Sequence, residues 1–151
     1  MPPETKPETP MKIERKPEWL KIKLESGKNY PFVKQMVEQN NLHTICSSGR
    51  CPNMGQCWSL GTATFMILGD ICTRSCKFCA TKTGKPLPVD KNEPQKIAKS
   101  IELMKLKHCV ITSVDRDDLP DKGAYHWART ITEIREKNPS IIIELLISTC
   151  I

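Results

Sequence analysis

Three cysteines within eight residues are the strongest chemical signal in the chain, in the segment Cys72-Thr-Arg-Ser-Cys76-Lys-Phe-Cys79. They follow a short apolar run, Ala63–Leu68, which predicts a strand that ends shortly before the cysteines begin. Iron–sulfur clusters are held by cysteine thiolates, usually four to a cubane, so three thiols would leave one iron without a protein ligand. An open coordination position is where metal chemistry takes place. We therefore predict an active centre at this loop, with the ring of Phe78 beside the open position.

The cysteine spacing argues against two simpler interpretations of this loop. A structural zinc site usually has four ligands in C-x2-4-C pairs, and the C-x3-C-x2-C spacing does not fit that pattern. Disulfides need an oxidising compartment, and no apolar signal segment is present near residue 1. A zinc site and a disulfide remain the alternatives to the iron–sulfur interpretation.

A second cysteine triplet lies upstream, in Cys46-Ser-Ser-Gly-Arg-Cys51-Pro-Asn-Met-Gly-Gln-Cys57. Its glycines and Pro52 predict a loop that can wrap around a compact group, with Cys57 on a short helix beside Trp58 and Leu60. Three thiols are again present, so a fourth ligand would have to come from elsewhere. His43 is close in sequence, but a lone histidine near a loop is more often solvated. One zinc site made from all six cysteines is the alternative, and the division into two compact triplets favours two sites.

The composition is that of an ordinary soluble protein with a local excess of cysteine. Of the 151 residues, 38% are hydrophobic and 26% are charged, and no run approaches the ~20 apolar residues of a membrane span. The net charge of +6 comes from scattered lysines, without the arginine-rich stripe that would favour nucleic acid. Six of the eight cysteines fall between positions 46 and 79. Cysteine-rich chains without a secretion signal predict metal binding in a reducing cytosol.

The N-terminal region is expected to contribute little to the fold. Residues 1–18 contain five of the twelve prolines, with lysines and glutamates between them, which predicts a disordered tail. A short arm that packs on the domain is predicted next, from Trp19, Leu20, Ile22 and Leu24. A helix is expected over Pro31–Asn40, with an apolar face made by Phe32, Val33, Met36 and Val37.

Helices and strands alternate after the Cys72 loop. We predict helices over Glu93–Lys107 and Gly123–Lys137, and strands over Cys109–Val114 and Ile141–Ile147. The last strand is an apolar run typical of a parallel strand buried on both faces. The inward faces of the two helices are expected to hold Ile97, Ala98, Ile101 and Met104, then Trp127, Ala128, Ile131 and Ile134. With the strand before the Cys72 loop the order is βαβαβ, an α/β fold with right-handed crossovers.

The loops that follow the first two strands are expected to meet. In such folds the working loops lie at the carboxyl ends of the strands, so the Cys72 loop and residues 113–118 should face the same rim. Cys109, at the start of its strand, is predicted to be a small buried apolar residue. The acidic turn has a simpler interpretation as solvated loop. The candidate binding residues for a charged ligand beside the cluster are Thr112, Ser113, Asp115, Arg116 and Asp117.

The apolar strand near the end of the chain would leave an unpaired sheet edge, and residues 63–151 are too short to close a barrel. These features predict the N-terminal part of a longer protein. They also raise the hypothesis that Ser148–Ile151 is not native sequence.

Taken together, the motifs resemble the lipoyl synthase family of radical S-adenosylmethionine (SAM) enzymes, from about Tyr30 to Ile147. The spacing C-x3-C-x2-C alone indicates the wider radical SAM superfamily, and the upstream C-x4-C-x5-C makes the resemblance specific. Further support comes from the segments Asn92–Pro94 and Val110–Leu119. The implied fold is the N-terminal part of a partial (β/α)6 barrel over residues 62–151, preceded by a cluster-binding extension over residues 19–61.

The resemblance implies two [4Fe–4S] clusters. One would be held by the catalytic triplet Cys72, Cys76 and Cys79, and its open iron would bind SAM with Phe78 near the adenine. On reduction, SAM would split into methionine and a 5′-deoxyadenosyl radical. The other, auxiliary cluster would donate sulfur and be held by Cys46, Cys51 and Cys57.

The implied reaction removes hydrogens from the sixth and eighth carbons of a protein-bound octanoyl chain and inserts sulfur at both. The implied partners are an octanoylated lipoyl carrier domain or the glycine cleavage H protein, and an electron donor such as ferredoxin or flavodoxin, in the cytoplasm. No nucleic-acid or membrane partner is expected. A biotin synthase-like radical enzyme and a non-enzymatic zinc-binding module are the alternative functions.

The sequence also departs from the family pattern. Members continue through the barrel to an Arg-Ser-Ser-Tyr motif whose serine is the fourth ligand of the auxiliary cluster, and that motif is absent from these 151 residues. Where members have an Asp-Phe pair, this chain has Ser148-Thr-Cys-Ile151, and we treat Cys150 as accidental. We therefore expect the full-length protein to be an enzyme and this chain alone to be inactive.

Overall fold

The computed structural model describes residue 17 and residues 29–147. The predicted tail apart from Pro17, the arm over residues 19–24 and the segment 148–151 lie outside the described residues. The elements in chain order are α1 (Asn29–Gln39), β1 (His43–Thr44), α2 (Ile45–Ser48), α3 (Met54–Ser59), β2 (Thr64–Ile67), β3 (Ile71–Cys72), β4 (Lys82–Thr83), α4 (Glu93–Leu103), β5 (His108–Ser113), α5 (Ala124–Lys137) and β6 (Ile142–Leu146).

The central sheet has four described strands in the order β1-β2-β5-β6. β2 pairs with β5 and β5 pairs with β6 in parallel, whereas β1 runs antiparallel to β2. α4 connects β2 to β5 and α5 connects β5 to β6, so the predicted βαβαβ order in an α/β fold is confirmed. A second, parallel pair formed by β3 and β4 brackets the Cys72 loop.

The core joins the parallel strands to the helices α4 and α5, which pack against each other, and it extends to α1, α2 and α3 through Val33, Val37, Cys46 and Trp58. Each fully buried aliphatic or aromatic side chain there contributes about 1.5–3 kcal/mol of transfer free energy. Cys109 is completely buried in β5, as the sequence predicts, and burial raises the pKa of its thiol to about 11. The largest of the fully buried residues are Phe65, Met66, Ile67, Ile97, Ile101, Ile111 and Ile134.

The first two long helices differ from the prediction in detail. In α1, Val33 and Val37 are buried, but Phe32 is 41% exposed, so its predicted place on the apolar face is wrong. α4 ends at Leu103 because Lys105 takes a left-handed conformation with φ of 52°. The amide of Leu106 then donates back to the carbonyl of Ile101, a helix-ending arrangement that stops the predicted continuation to residue 107.

The inward face of α5 is more polar than predicted. Its buried residues are His126, Thr130 and Ile134, whereas Ala128 is exposed and was wrongly placed inside. The hydroxyl of Thr130 donates to the carbonyl of His126 at 2.7 Å, which satisfies this polar group within the helix. Apolar spacing alone did not indicate that polar residues occupy this face.

The sequence predicted that β6 is a parallel strand buried on both faces. β6 is parallel, but it is not buried on both faces. Ile142 is 64% exposed and Leu146 is 50% exposed, and only Ile143 packs partly against the core. The reason is that β6 pairs with β5 on one side, and within residues 29–147 no strand lies on its other side. None of the described helices is long and apolar enough to cross a membrane, and the longest, α5, has 14 residues.

Candidate metal and cofactor site

The loop that carries the Cys72 triplet meets the loop after β5 at one edge of the sheet. Because β2 and β5 are parallel, with Ile67 opposite Ser113, the two chains leave the sheet side by side. The amide of Thr73 donates to the carbonyl of Asp115 at 3.0 Å. The Thr73 hydroxyl lies 3.0 Å from that same carbonyl and accepts from the amide of Asp117 at 3.1 Å. The expected meeting of the two loops is therefore present.

The Cys72 sulfur lies within this junction. Its Sγ accepts from the backbone amide of Asp115 at 3.3 Å and from that of Arg74 at 3.5 Å. Such N–H···S contacts stabilise negative charge on sulfur, and hydrogen bonds to cluster sulfurs are one determinant of cluster potential. The carboxylate of Asp115 is 3.7 Å from the same sulfur. Two backbone donors thus fix the position of the Cys72 sulfur at the junction of the two loops.

Arg74 joins the two loops by charge. Its Nε and Nη2 each lie 2.7 Å from a different carboxylate oxygen of Asp117, and its Nη1 lies 3.8 Å from Asp115. This bidentate geometry fixes both partners in orientation as well as position. The hydrogen bond from Arg74 is the main reason that the pKa of Asp117 is lowered to about 2.

The three cysteines open onto one cleft with a volume of about 490 Å³. Phe78, 86% exposed, lines the same cleft. The cleft is also lined by Thr112 and Ser113 at the end of β5 and by Asp115 of the loop after β5. Polar and acidic groups therefore line the same space as the thiols, and that space is large enough for an organic ligand.

Two of the predicted ligand contacts lie elsewhere. Asp117 pairs with Arg74 outside the cleft wall. Arg116 is only 3% exposed: its Nη1 donates to the carbonyl of Leu68 at 3.0 Å, and its Nε and Nη2 hold Asp118. Among the residues that line the cleft, Thr112 also donates to the carbonyl of Leu146, and Ser113 accepts from Trp127.

The donor set has the chemistry of an iron–sulfur ligand set. Cys72, Cys76 and Cys79 are free thiols that share one cleft. Cysteine thiolates are the usual ligands of iron–sulfur clusters, so the donor type fits such a cluster. Among the described residues, no group of three or more His, Cys, Asp or Glu residues is arranged to hold a metal ion.

The upstream triplet is held by local structure. Thr44 accepts from the amide of Ser47 and so begins α2, which contains the buried Cys46. The amide of Cys51 donates to the carbonyl of Cys46 at 3.0 Å, and Cys57 lies in α3 beside the buried Trp58, as predicted. The neighbouring Leu60 is 74% exposed. His43, the other candidate ligand, lies in β1.

Sequence reasoning missed the residues that support the cluster loop from behind. Glu93, 6% exposed, accepts from the amide of Leu68 at 2.9 Å, and its carboxylate lies 2.7 Å from the ring of His126. The available signal was a glutamate directly before Pro94 at the start of a helix that follows the loop. In the sequence, this glutamate indicated only the start of α4 and the family resemblance.

Comparison with known families agrees with this geometry. The profile described as the Radical SAM superfamily matches residues 66–150, which include the Cys72 triplet and the loop after β5. The chain belongs to the radical SAM superfamily. A second profile, described as the N-terminal domain of lipoyl synthase of the Radical SAM family, matches residues 4–51.

Curated relatives of this radical SAM chain carry consistent names. The lipoyl synthase of Bacteroides fragilis is 67% identical over 133 residues, which cover 88% of this chain and 46% of that protein. The lipoyl synthase of Bacteroides thetaiotaomicron is 66% identical over 133 residues, covering 88% of this chain and 47% of that protein. The mitochondrial lipoyl synthase of Nematostella vectensis is 60% identical over 134 residues, which cover 89% of this chain and 46% of that protein. The chain spans about half the length of the curated relatives it matches.

Proposed function

We propose that this chain forms the N-terminal half of a lipoyl synthase, which inserts sulfur at the sixth and eighth carbons of a protein-bound octanoyl group. The observation that carries the proposal is the cleft in which Cys72, Cys76 and Cys79 face the polar loop after β5. The upstream triplet and the relatives named lipoyl synthase support the choice of this reaction within the superfamily.

The two triplets have separate roles in this proposal. Cys72, Cys76 and Cys79 hold the catalytic [4Fe–4S] cluster, and Cys46, Cys51 and Cys57 hold the auxiliary cluster. When bound, the catalytic cluster supplies the electron for reductive cleavage of SAM, which initiates hydrogen removal from an unactivated carbon. Ile45, directly before Cys46, lies in the wall of the Cys72 cleft, so the two sites have neighbouring walls.

The residues around the cleft orient and enclose the ligand. The carboxylate of Asp115 attracts the cationic ammonium and sulfonium groups of SAM, and the Thr112 and Ser113 side chains offer oxygens beside it. The exposed ring of Phe78 provides a surface on which the adenine can stack. Apolar side chains also line the cleft and offer an apolar surface to the ligand, and these are Met66, Leu145, Leu146 and Ile147.

The architecture and partners belong to the same proposal. The strands β2, β5 and β6 are the first strands of a partial (β/α)6 barrel, and residues 19–61 form the extension that carries the auxiliary cluster. The protein works in the cytoplasm on an octanoylated lipoyl carrier domain or the glycine cleavage H protein. A ferredoxin or flavodoxin supplies the electrons.

A chimera tests the proposal directly. This chain replaces the matching N-terminal segment of the Bacteroides fragilis protein, and the anaerobically reconstituted chimera is given SAM, a reductant and an octanoylated carrier domain. We expect a lipoylated carrier, detected as a mass gain from two inserted sulfur atoms. A matched Cys109→Ser chimera controls for loss of a thiol that lies outside both sites.

Other outcomes of the same experiment identify the alternatives. Turnover of dethiobiotin in place of the octanoyl carrier indicates a biotin synthase-like enzyme. Tightly bound zinc, with no brown colour and no acid-labile sulfide after anaerobic purification, indicates a zinc-binding module. Either result would refute the proposed function.

A further inference from the structure

Leu68 has an unusual backbone conformation at a critical position. It directly follows β2 and precedes Gly69-Asp-Ile-Cys72, so it sets the direction in which the cluster loop leaves the sheet. Its φ is 70°, and a bulky side chain rarely adopts this left-handed region. The residue is also buried, with 3% of its surface exposed. Such a conformation persists only when the surrounding structure holds it in place.

Three separate segments hold Leu68. Its amide donates to Oε2 of Glu93 at 2.9 Å, and its carbonyl accepts from Arg116 at 3.0 Å. Its side chain packs against Gly123, where an added Cβ would lie 2.5 Å from the Leu68 Cδ1 atom. These partners lie at the start of α4, in the loop after β5 and directly before α5. Both crossovers of the βαβαβ unit therefore converge on the residue that starts the cluster loop.

Glu93 makes this contact together with His126. The same oxygen, Oε2, lies 2.7 Å from Nε2 of His126, and both side chains are buried, with 6% and 7% of their surfaces exposed. A buried carboxylate is costly unless donors satisfy it, so the ring N–H of His126 stabilises the acceptor that Leu68 needs. One carboxylate oxygen thus ties the end of β2 to the first turns of both α4 and α5.

The cluster loop has a second attachment point downstream. The amide of Thr73 donates to the carbonyl of Asp115 at 3.0 Å, on the far side of Cys72 from Leu68. The short segment of residues 69–72 is therefore fixed at both ends, by Leu68 and by Thr73.

We propose that Glu93 and His126 are positioning residues that set the exit direction of the cluster loop at Leu68 and thereby place the Cys72 thiolate. The part of this inference that concerns a cluster rests on the proposed function. The placement of the loop itself is a property of the iron-free chain and is tested there.

Amide hydrogen exchange on the iron-free 151-residue chain provides the test. Glu93→Leu and His126→Leu each remove the shared hydrogen bonds, whereas Glu93→Gln and His126→Gln keep an acceptor and a donor at the same places. Asn138→Leu is the matched control, because the Asn138 side chain donates to the carbonyl of Ala98 and so ties the C-terminal end of α5 to the middle of α4.

We expect exchange at residues 68–73 to rise on the order of tenfold in the two leucine variants, with exchange in β5 unchanged. The two glutamine variants should stay close to the unmodified chain, and Asn138→Leu should not affect residues 68–73. Unchanged exchange at the loop in the leucine variants would overturn the proposal. Equal acceleration in β5 and the loop would also overturn it, since that result describes a general loss of stability.

Electron paramagnetic resonance tests whether the position of the cluster loop affects the response of the catalytic cluster to SAM. In the chimera, reduced by dithionite, the electron paramagnetic resonance signal of the catalytic cluster should change on addition of SAM. His126→Leu should reduce that change and His126→Gln should restore it, whereas a full response in His126→Leu would contradict a positioning role. If the chimera makes no lipoyl group but the exchange pattern holds, the proposed function fails and the positioning of the loop stands.

Discussion

The two cysteine loops differ in how they are joined to the rest of the molecule. In the Cys72 loop, Thr73 and Arg74 form hydrogen bonds with partners 42 to 44 positions away in the chain. In the Cys46 loop, Thr44 bonds to Ser47 three positions on, and Ser47 bonds to Met54 seven positions on. This second loop is joined to the sheet by packing, because Cys46 and Trp58 are buried in the main core and β1 pairs with β2.

This difference has a functional meaning. A loop that is fixed by the sheet presents its thiols in a set geometry, which suits a site that must hold one cofactor beside a reacting ligand. The turns of the Cys46 loop are set by hydrogen bonds between near neighbours, which can rearrange without moving the sheet. We therefore expect the Cys72 site to be preorganised and the Cys46 loop to adjust its turns more when its own ligand binds.

The largest predicted effect separates the two triplets chemically. In the chimera, the Cys72/Cys76/Cys79→Ala variant should lose one of two clusters and all SAM cleavage, because the proposed function makes these three thiols the protein ligands of the catalytic cluster. The Cys46/Cys51/Cys57→Ala variant should lose the other cluster and keep SAM cleavage without sulfur insertion. Iron and sulfide analysis with measurement of 5′-deoxyadenosine checks both. Unchanged SAM cleavage in the first variant would refute the assignment.

The second prediction tests the packing behind the Cys72 loop. Gly123→Ala places a Cβ 2.5 Å from Leu68 at a backbone φ of 90°. Together, the left-handed strain and the overpacking should lower the free energy of unfolding by about 2–5 kcal/mol in urea titrations of the iron-free chain.

Gly69→Ala is the matched control for this prediction. Gly69 also has a positive φ, 102°, but an added Cβ would meet nothing within 4 Å. Only the strain remains, so we expect a loss of about 1–2 kcal/mol. Equal losses in the two variants would show that the contact with Leu68 contributes nothing.

The third prediction compares one threonine in each loop. Thr73→Val removes the hydroxyl that joins the Cys72 loop to the loop after β5, and Thr44→Val removes the cap of α2. Each should cost roughly 1–2 kcal/mol of stability. Exchange at Asp117 should rise only in Thr73→Val, and exchange at Ser47 only in Thr44→Val. A cross-effect between the loops would contradict their separate construction.

The smallest predicted effect is a loss of stability at low pH through the pair Arg74 and Asp117. The pKa of Asp117 is lowered to about 2 by Arg74, so this pair stabilises the folded chain above the unfolded value of about 3.9. Its contribution decreases as the pH falls through about 2. Residues 42–60 contain no Asp or Glu, so acid should affect the Cys72 loop and spare the Cys46 loop.

Carboxyl-carbon nuclear magnetic resonance of the iron-free chain checks whether acid acts on the Cys72 loop through Asp117. The Asp117 signal should titrate with a midpoint near pH 2, and the amide of Thr73 should shift with it. In Asp117→Asn the Thr73 shift should disappear. A midpoint near the ordinary aspartate value would contradict the role of Arg74.

The βαβαβ order and the meeting of the two loops were predictable because long periodic segments carry a strong signal. Apolar spacing predicted the burial of Ile97 and Ile101, and parallel pairing of the strands then required their loops to share a rim. The two-residue strands β1, β3 and β4 were missed because two residues have no periodicity to detect.

The errors come from features that depend on neighbours in space. An apolar run predicts a strand but does not say which of its sides are covered, so β6 was wrongly expected to be buried on both faces. The contact between Glu93 and His126 joins residues 33 positions apart and was not predicted. Arg116 was expected to bind a charged ligand because its loop follows β5 at the same edge of the sheet as the Cys72 loop, but its side chain donates to the carbonyl of Leu68.

Cys109 gives the chain a built-in control for chemical labelling. Alkylating reagents attack thiolates, and this thiol is fully buried, with its pKa raised to about 11. In a folded chain the triplet cysteines that are not buried should therefore react with iodoacetamide while Cys109 stays unmodified, and these are Cys51, Cys57, Cys72, Cys76 and Cys79. Alkylation at Cys109 then reports the opening of the sheet itself, which separates an unfolded preparation from one that has merely lost its iron.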